Sequence, residues 1–211
     1  MKIAIVGAES TGKSTLAEAL EAHLNACGIE VHRVAEYLRE WCDVHQRTPR
    51  RDEQHHIAQT QINRIREAPS NSVLIADTTP LMTAVYSHLV FNDTSLDSMA
   101  CTHHAHFDIT LLTGLDLAWQ SDGLQRDGEH VREPVDQKIR EFLTQARLPF
   151  QVVYGIGAQR LENALYGIAQ QAPAWAQRLR RQATPPRWHG PCETCGDGDC
   201  EHRLFTALLK P

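Results

Sequence analysis

The chain has 211 residues, 42% of them hydrophobic and 22% charged, with a formal net charge of −5. These values suit one globular α/β core with an appendage and argue against a second full domain or a general nucleic-acid coat. No apolar stretch approaches the ~18 residues of a membrane span, and no cationic leader with an apolar core opens the sequence, so the cytoplasm is the expected compartment.

In chain order, Lys2-Ile3-Ala4-Ile5-Val6 is a short apolar, β-branched run of the kind that forms a buried parallel strand. Residues 7–14 then read Gly-Ala-Glu-Ser-Thr-Gly-Lys-Ser and match G-x-x-x-x-G-K-[ST] in full. Residues 14–27 place Leu16, Ala19, Leu20, His23 and Leu24 at helical spacing before Gly28. Strand, glycine loop and helix are the context a phosphate-binding loop requires. Gly7 and Gly12 let the backbone curl its N–H groups toward phosphate oxygens, at the positive end of the new helix. Glu9, Ser10, Thr11 and Thr15 complete the loop, Lys13 supplies charge to the β- and γ-phosphates, and Ser14 is the expected Mg²⁺ ligand.

Residues 29–34 form a second expected strand, ending at Ala35-Glu36-Tyr37-Leu38-Arg39. Strand C-termini line the ligand crevice of such a sheet, so Glu36, Tyr37 and Arg39 emerge near the loop; a solvated first helical turn accounts for them equally well. Residues 52–67 form a polar helix whose adjacent His55 and His56 point about 100° apart, so they are surface or pocket-wall residues rather than a shared metal site. Residues 72–77 are an apolar strand ending in Asp77, the expected second support of the Mg²⁺, with Thr78 and Thr79 facing the substrate.

Helices are expected over residues 81–90 and 94–104, then a strand over 107–112. Cys101, His103, His104 and His106 crowd that second helix end as polar or cationic rings suited to a C-terminus. Residues 114–131 carry Asp116, Trp119, Asp122, Gly123, Arg126 and Gly128. The stretch is too long for an idle connection and reads as a lid whose Arg126, together with Arg132, stabilises charge on a transferring group; a flexible surface loop is the plain alternative. A helix over 133–146, a strand over 150–154 and a Gly-Ile-Gly turn leading to a helix with Arg160 close the core, Arg160 being grouped with the nucleotide-binding residues. Five apolar strands alternating with helices imply a parallel sheet with right-handed crossovers, covered on both faces.

With the loop, Glu36-Tyr37-x-Arg39, Asp77 and Trp119-x-x-Asp122-Gly123-x-x-Arg126 in view, residues 1–170 resemble the NadR-type ribosylnicotinamide kinase domain, one of the P-loop nucleoside and nucleotide kinases. The resemblance implies a P-loop NTPase three-layer sandwich and ATP- and Mg²⁺-dependent phosphorylation of the 5′-hydroxyl of nicotinamide riboside. It also implies that Glu36, Tyr37, Arg39, Thr79, Trp119 and Asp122 lie toward the substrate, and Arg126 and Arg132 toward the phosphates. Two departures stand out. The family often carries Asp-Thr-Asp where this chain has Asp77-Thr78-Thr79, and no H-x-G-H element of an accompanying adenylyltransferase occurs.

Ala183-Thr184-Pro185-Pro186 reads as a linker between a kinase domain over 1–182 and a tail over 187–211. In the tail, Cys192, Cys195, Cys200 and His202 supply four ligands for a structural Zn²⁺, with His189 as a possible substitute for His202 and a redox Cys-x-x-Cys as the competitor. Cys27, Cys42 and Cys101 are expected as reduced, partly buried thiols. The expected partner is a small nucleoside, without membrane or nucleic acid and with the oligomeric state open. The rival from another class is a regulatory ATPase whose nucleotide state controls a contact through the zinc tail. A GTPase switch is disfavoured by the lack of Asn-Lys-x-Asp.

Overall fold

The computed structural model describes residues 1–120 and 128–180. The chain divides into two units, Met1–Arg181 and Gln182–Pro211. Asp122, Gly123 and Arg126 of the expected lid, and every expected zinc ligand, lie outside the described residues. Among the described residues no group of three or more His, Cys, Asp or Glu is arranged to hold a metal ion.

Five strands, β1 (Lys2–Val6), β2 (Val31–Val34), β3 (Val73–Asp77), β4 (Ile109–Thr113) and β5 (Gln151–Val153), form one sheet in the order β2-β3-β1-β4-β5. All four pairings are parallel, with Ile5 opposite Asp77 on one side and opposite Leu111 on the other. The chain fills the β3 side of β1 first and the β4 side afterwards, and connections that part in this way leave a crevice at the C-terminal end of β1.

The three central strands β3, β1 and β4 are mostly apolar and buried because both faces are covered, whereas the edge strands β2 and β5 are shorter and partly exposed. Ile3, Ile5, Ile75 and Leu111 meet Leu16, Leu20 and Leu24 of α1 (Lys13–Ala26) and Ala164 and Ile168 of α7 (Ala158–Gln171). Val6 and Leu112 meet Leu81 and Val85 of α4 (Pro80–Phe91) and Ile139 and Leu143 of α6 (Arg132–Gln145) on the opposite face. Helix, sheet, helix is the expected three-layer arrangement. β1 has the expected bounds, β2, β3 and β5 are shorter than the runs suggested, and β4 starts two residues later and reaches one residue further, to Thr113.

Between β2 and β3 the chain forms α2 (Tyr37–His45), a 3₁₀ turn (Arg51–Glu53) and α3 (Gln54–Arg66). The expected helix over 52–67 thus starts in 3₁₀ geometry. Residues 37–45 are a full helix, not only a first turn beyond Glu36, with Trp41 and Cys42 buried. Leu38, Trp41 and Cys42 at i, i+3 and i+4 carried that signal.

Of the polar or cationic rings expected at the end of α5 (Asp97–His104), His103 and His104 do occupy its last turn, as polar rings and not as cations. His104 is 1% exposed, with Nδ1 bonded to Thr79 Oγ1 at 3.0 Å and Nε2 to Thr110 Oγ1 at 2.9 Å, so a neutral ring is satisfied by two hydroxyls. Burial pushes the His103 and His104 rings down to about 4, with smaller contributions from neighbouring cations. A base whose folded pKa is depressed leaves the unfolded chain holding more protons between the two values, so stability rises with pH there. The contribution is fully present above pH ~6.5 and is lost as the pH falls toward 4, on the order of 3 kcal/mol for His104. Denaturant midpoints should fall over that window, and His104→Gln should flatten the fall; a level wild-type profile from pH 6.5 to 4.5 contradicts the neutral-ring account.

Candidate active site

The loop between β1 and α1 is shaped by contacts that exclude other residues. Gly7 has φ 156°, and a Cβ there would lie 2.0 Å from Thr113 Oγ1. Gly12, at φ 73°, begins α1 with Leu117 against it, 2.9 Å from where a Cβ would sit. Thr11 is fully buried: its hydroxyl donates to the Ala8 carbonyl at 2.7 Å and meets Thr113 Oγ1 at 2.7 Å. Thr113 in turn donates to the Val6 carbonyl at 3.2 Å. Side chains therefore hold the loop from below, while the first-turn N–H groups of α1, which have no intrahelical acceptor, open at the crevice.

Lys13 donates to the Ala8 carbonyl at 2.8 Å. Burial pulls its ammonium below the usual lysine range, opposed by the negative charges of Glu36, Asp77 and Glu9. A charge kept at some cost and balanced only by nearby carboxylates is poised for a stronger anion, and a polyphosphate supplies one. Asp77, 3% exposed at the end of β3, keeps its Oδ1 buried without a hydrogen-bond partner among the described residues.

Arg160 of α7, 4% exposed, has a different position from the one its grouping implied. Its NH2 donates to the Thr11 carbonyl at 2.7 Å; its NH1 donates to the Gly155 carbonyl at 2.8 Å and to Asp116 Oδ1 at 3.1 Å. Asp116 also accepts the Gly155 N–H at 2.6 Å. Through NH1 and NH2 the guanidinium holds the phosphate loop to the turns that follow β4 and β5, as a brace does. Further along, Ser10 Oγ accepts the Gln120 N–H at 2.8 Å.

A cavity of about 540 Å³ opens beside the loop. Glu9 through Thr15 form one wall, Glu36, Leu38, Arg39 and Cys42 a second, and Met82, Tyr86, Val90 and Phe91 of α4 a third. Glu36 and Arg39 approach to 3.9 Å. Thr48, Arg50, Arg51 and Gln54 close the outer side, and the sequence pattern did not single them out. Their signal was faint, a Thr-Pro-Arg-Arg turn before a helix, and only packing brings it to the crevice.

Three expected substrate residues are held elsewhere. The Tyr37 ring packs between Arg64, 4.5 Å above it, and His56, whose Nε2 is 3.5 Å from the phenol oxygen. Thr79 is 1% exposed, its hydroxyl taken by His104. Trp119 does not line the cavity, and its indole nitrogen is buried without a partner among the described residues. Arg132, 5% exposed, donates to the Leu115 carbonyl at 3.2 Å, and its Nε has no partner among the described residues, at the root of the expected lid.

The fold implies ATP and Mg²⁺, and the residues present fit both. The loop amides and Lys13 offer an anion cradle, while the Ser14 hydroxyl and the orphaned Asp77 carboxylate oxygen are the hard donors Mg²⁺ takes.

A family model described as an AAA domain matches residues 2–160. Among solved structures, one of NadR in complex with NAD and AMP-PNP matches with a TM-score of 0.66 at 19% identity, covering 82% of this chain and 49% of that one. A second, of NadR in complex with NR, gives 0.67 at 19% identity, covering 82% and 51%. A deoxyadenosine kinase from M. mycoides, with dCMP and dCDP bound, gives 0.56 at 20% identity, covering 81% of this chain and all of that one. No curated protein sequence matches. At such identities the likeness is one of fold, and this chain spans about half the length of the NadR chains.

Proposed function

The chain belongs to the AAA domain family, and from that premise we propose that it is an ATP-dependent kinase acting on the 5′-hydroxyl of a nucleoside. Nicotinamide riboside, which would become nicotinamide mononucleotide in NAD biosynthesis, is the first acceptor to test. One observation supports the reading: the phosphate loop forms one wall of a small-molecule-sized cavity, and Glu36 and Arg39 line another wall of it. A regulatory ATPase needs no such chamber. The NadR structure with NR and the deoxyadenosine kinase structure are the fold relatives that favour a nucleoside in it.

In this mechanism the loop amides and Lys13 hold the donor phosphates, and Glu36 accepts the hydrogen bond of the acceptor hydroxyl and orients it. Arg132, with Arg126 of the lid, stabilises charge on the transferred group. Bound Mg²⁺ supplies charge neutralisation, with Ser14 and Asp77 as its holders. No described helix is long and apolar enough to cross a membrane, and a small-molecule enzyme needs none.

Incubation with ATP, Mg²⁺ and a panel of nicotinamide riboside, deoxyadenosine and deoxycytidine should yield a 5′-monophosphate from at least one, read by chromatography. Hydrolysis of ATP with no phosphorylated nucleoside would turn the assignment to the regulatory ATPase. Glu36→Gln should lower kcat by about 10²-fold while ATP affinity stays within a factor of a few.

A further inference from the structure

Gln54 opens α3 and is 5% exposed, yet it borders the cavity. Among the described residues nothing hydrogen-bonds to its carboxamide, and its polar atoms are not among those sealed inside the protein without a partner. Gln61 on the same helix shows the contrast. Its Oε1 accepts the Tyr37 N–H at 2.8 Å, and its Nε2 donates to the Ala35 carbonyl at 3.2 Å. One glutamine is consumed in joining the ends of β2 and β3; the other presents an open donor and acceptor to the chamber. An amide with no partner in the protein, facing the cavity, keeps its donor and acceptor available to a ligand that offers the complement.

The position of Gln54 in depth specifies what part of a ligand it meets. It lies seven residues before Gln61, about 10 Å of helix axis outward from the strand ends. Tyr86 lies six residues past Pro80, about 9 Å outward along α4. Both stand beyond the phosphate end of the cavity, with Met82 and Val90 adding apolar surface on the same wall. A flat ring fits against that wall with its edge toward the amide.

Resting on the nucleoside reading of the cavity, we propose that Gln54 is the specificity-determining residue for the base, selecting one whose edge carries an N–H donor beside an acceptor. A carboxamide-bearing pyridine and an aminopurine both qualify. A carboxylate in the same place brings a second acceptor against Oε1, and a ring lacking the amino group leaves Oε1 unpaired. The cavity's arginines do not favour the carboxylate outright: Arg39 faces Glu36 at 3.9 Å and Arg51 pairs with Asp93 at 2.9 Å, leaving Arg50 as its rival reader.

Calorimetry on the full chain with two matched pairs tests this: nicotinamide riboside against nicotinic acid riboside, and adenosine against purine riboside. In at least one pair the first member should bind more than about tenfold tighter, and Gln54→Met should erase that ratio while leaving ATP affinity unchanged. Equal binding within both pairs, a preference for the carboxylate, a ratio retained in Gln54→Met, or no binding by any of the four overturns the proposal. Phosphoryl transfer is read in the same samples with ATP–Mg²⁺. A Gln54-dependent ratio without transfer keeps this inference and discards the kinase; transfer with a ratio indifferent to Gln54 does the reverse.

Discussion

Lys13→Ala should lower phosphoryl transfer by about 10³-fold or more and leave a folded protein. The lysine is the one loop side chain that brings a full positive charge to the phosphates, and removing such a group from a preorganised site costs several kcal/mol in the transition state. Folding should be affected far less, by about 1 kcal/mol in either direction, because two effects oppose each other. The variant sheds a desolvated ammonium but also the cation beside Glu36 and Asp77. Thermal shifts separate these effects. At a hundredfold excess over Kd, ATP should stabilise the wild type by about 2.7 kcal/mol, and the variant should lose most of that gain. Undiminished transfer by Lys13→Ala removes the proposed site.

Arg160→Leu should destabilise the protein by about 3 kcal/mol, a drop in Tm on the order of 10 °C for a chain of this length, and weaken ATP binding as well. The substitution strands the Thr11 and Gly155 carbonyls and leaves Asp116 without its cation. Asp116 is the more exposed partner and keeps its bond to the Gly155 N–H, so Asp116→Asn should cost less, and the double variant should cost less than the sum. Arg160→Lys restores the charge without the fork, so it should recover part of the stability and little of the ATP affinity. A Tm within 2 °C of wild type in Arg160→Leu rules out the brace, whereas a lowered Tm with normal ATP affinity confines it to stability.

The outcome at individual residues shows where sequence reasoning reaches and where it stops. Gly7, Gly12, Lys13 and Ser14 were legible because a phosphate loop is local, with every chemical requirement met within eight residues of one strand and one helix. The three-layer fold was legible for a related reason: β3 and β4, buried along their whole length, read as short, mostly apolar runs. Asp77 was legible as a strand-terminal acid, a position that a parallel sheet carries to the crevice whatever the neighbouring sequence. Tyr37, Thr79 and Arg160 were not legible in the same way. The Tyr37 ring lies under Arg64 with its hydroxyl 3.5 Å from His56, the Thr79 hydroxyl is bonded to His104, and Arg160 donates to the Thr11 and Gly155 carbonyls.

The sequence alone thus determined the glycine loop, the sheet and the edge of the sheet beside which the cavity lies, because backbone periodicity and glycine geometry are properties of short segments. Only the tertiary structure decided which side chains face the cavity and which are used up in holding it. Gln54 and Gln61 are the same residue on the same helix, and what separates them is what happens to lie opposite: three backbone groups in one case, the cavity in the other. A hydrogen-bonding group is satisfied by whichever partner packing brings within about 3 Å, and that partner is set by contacts between segments far apart in the chain.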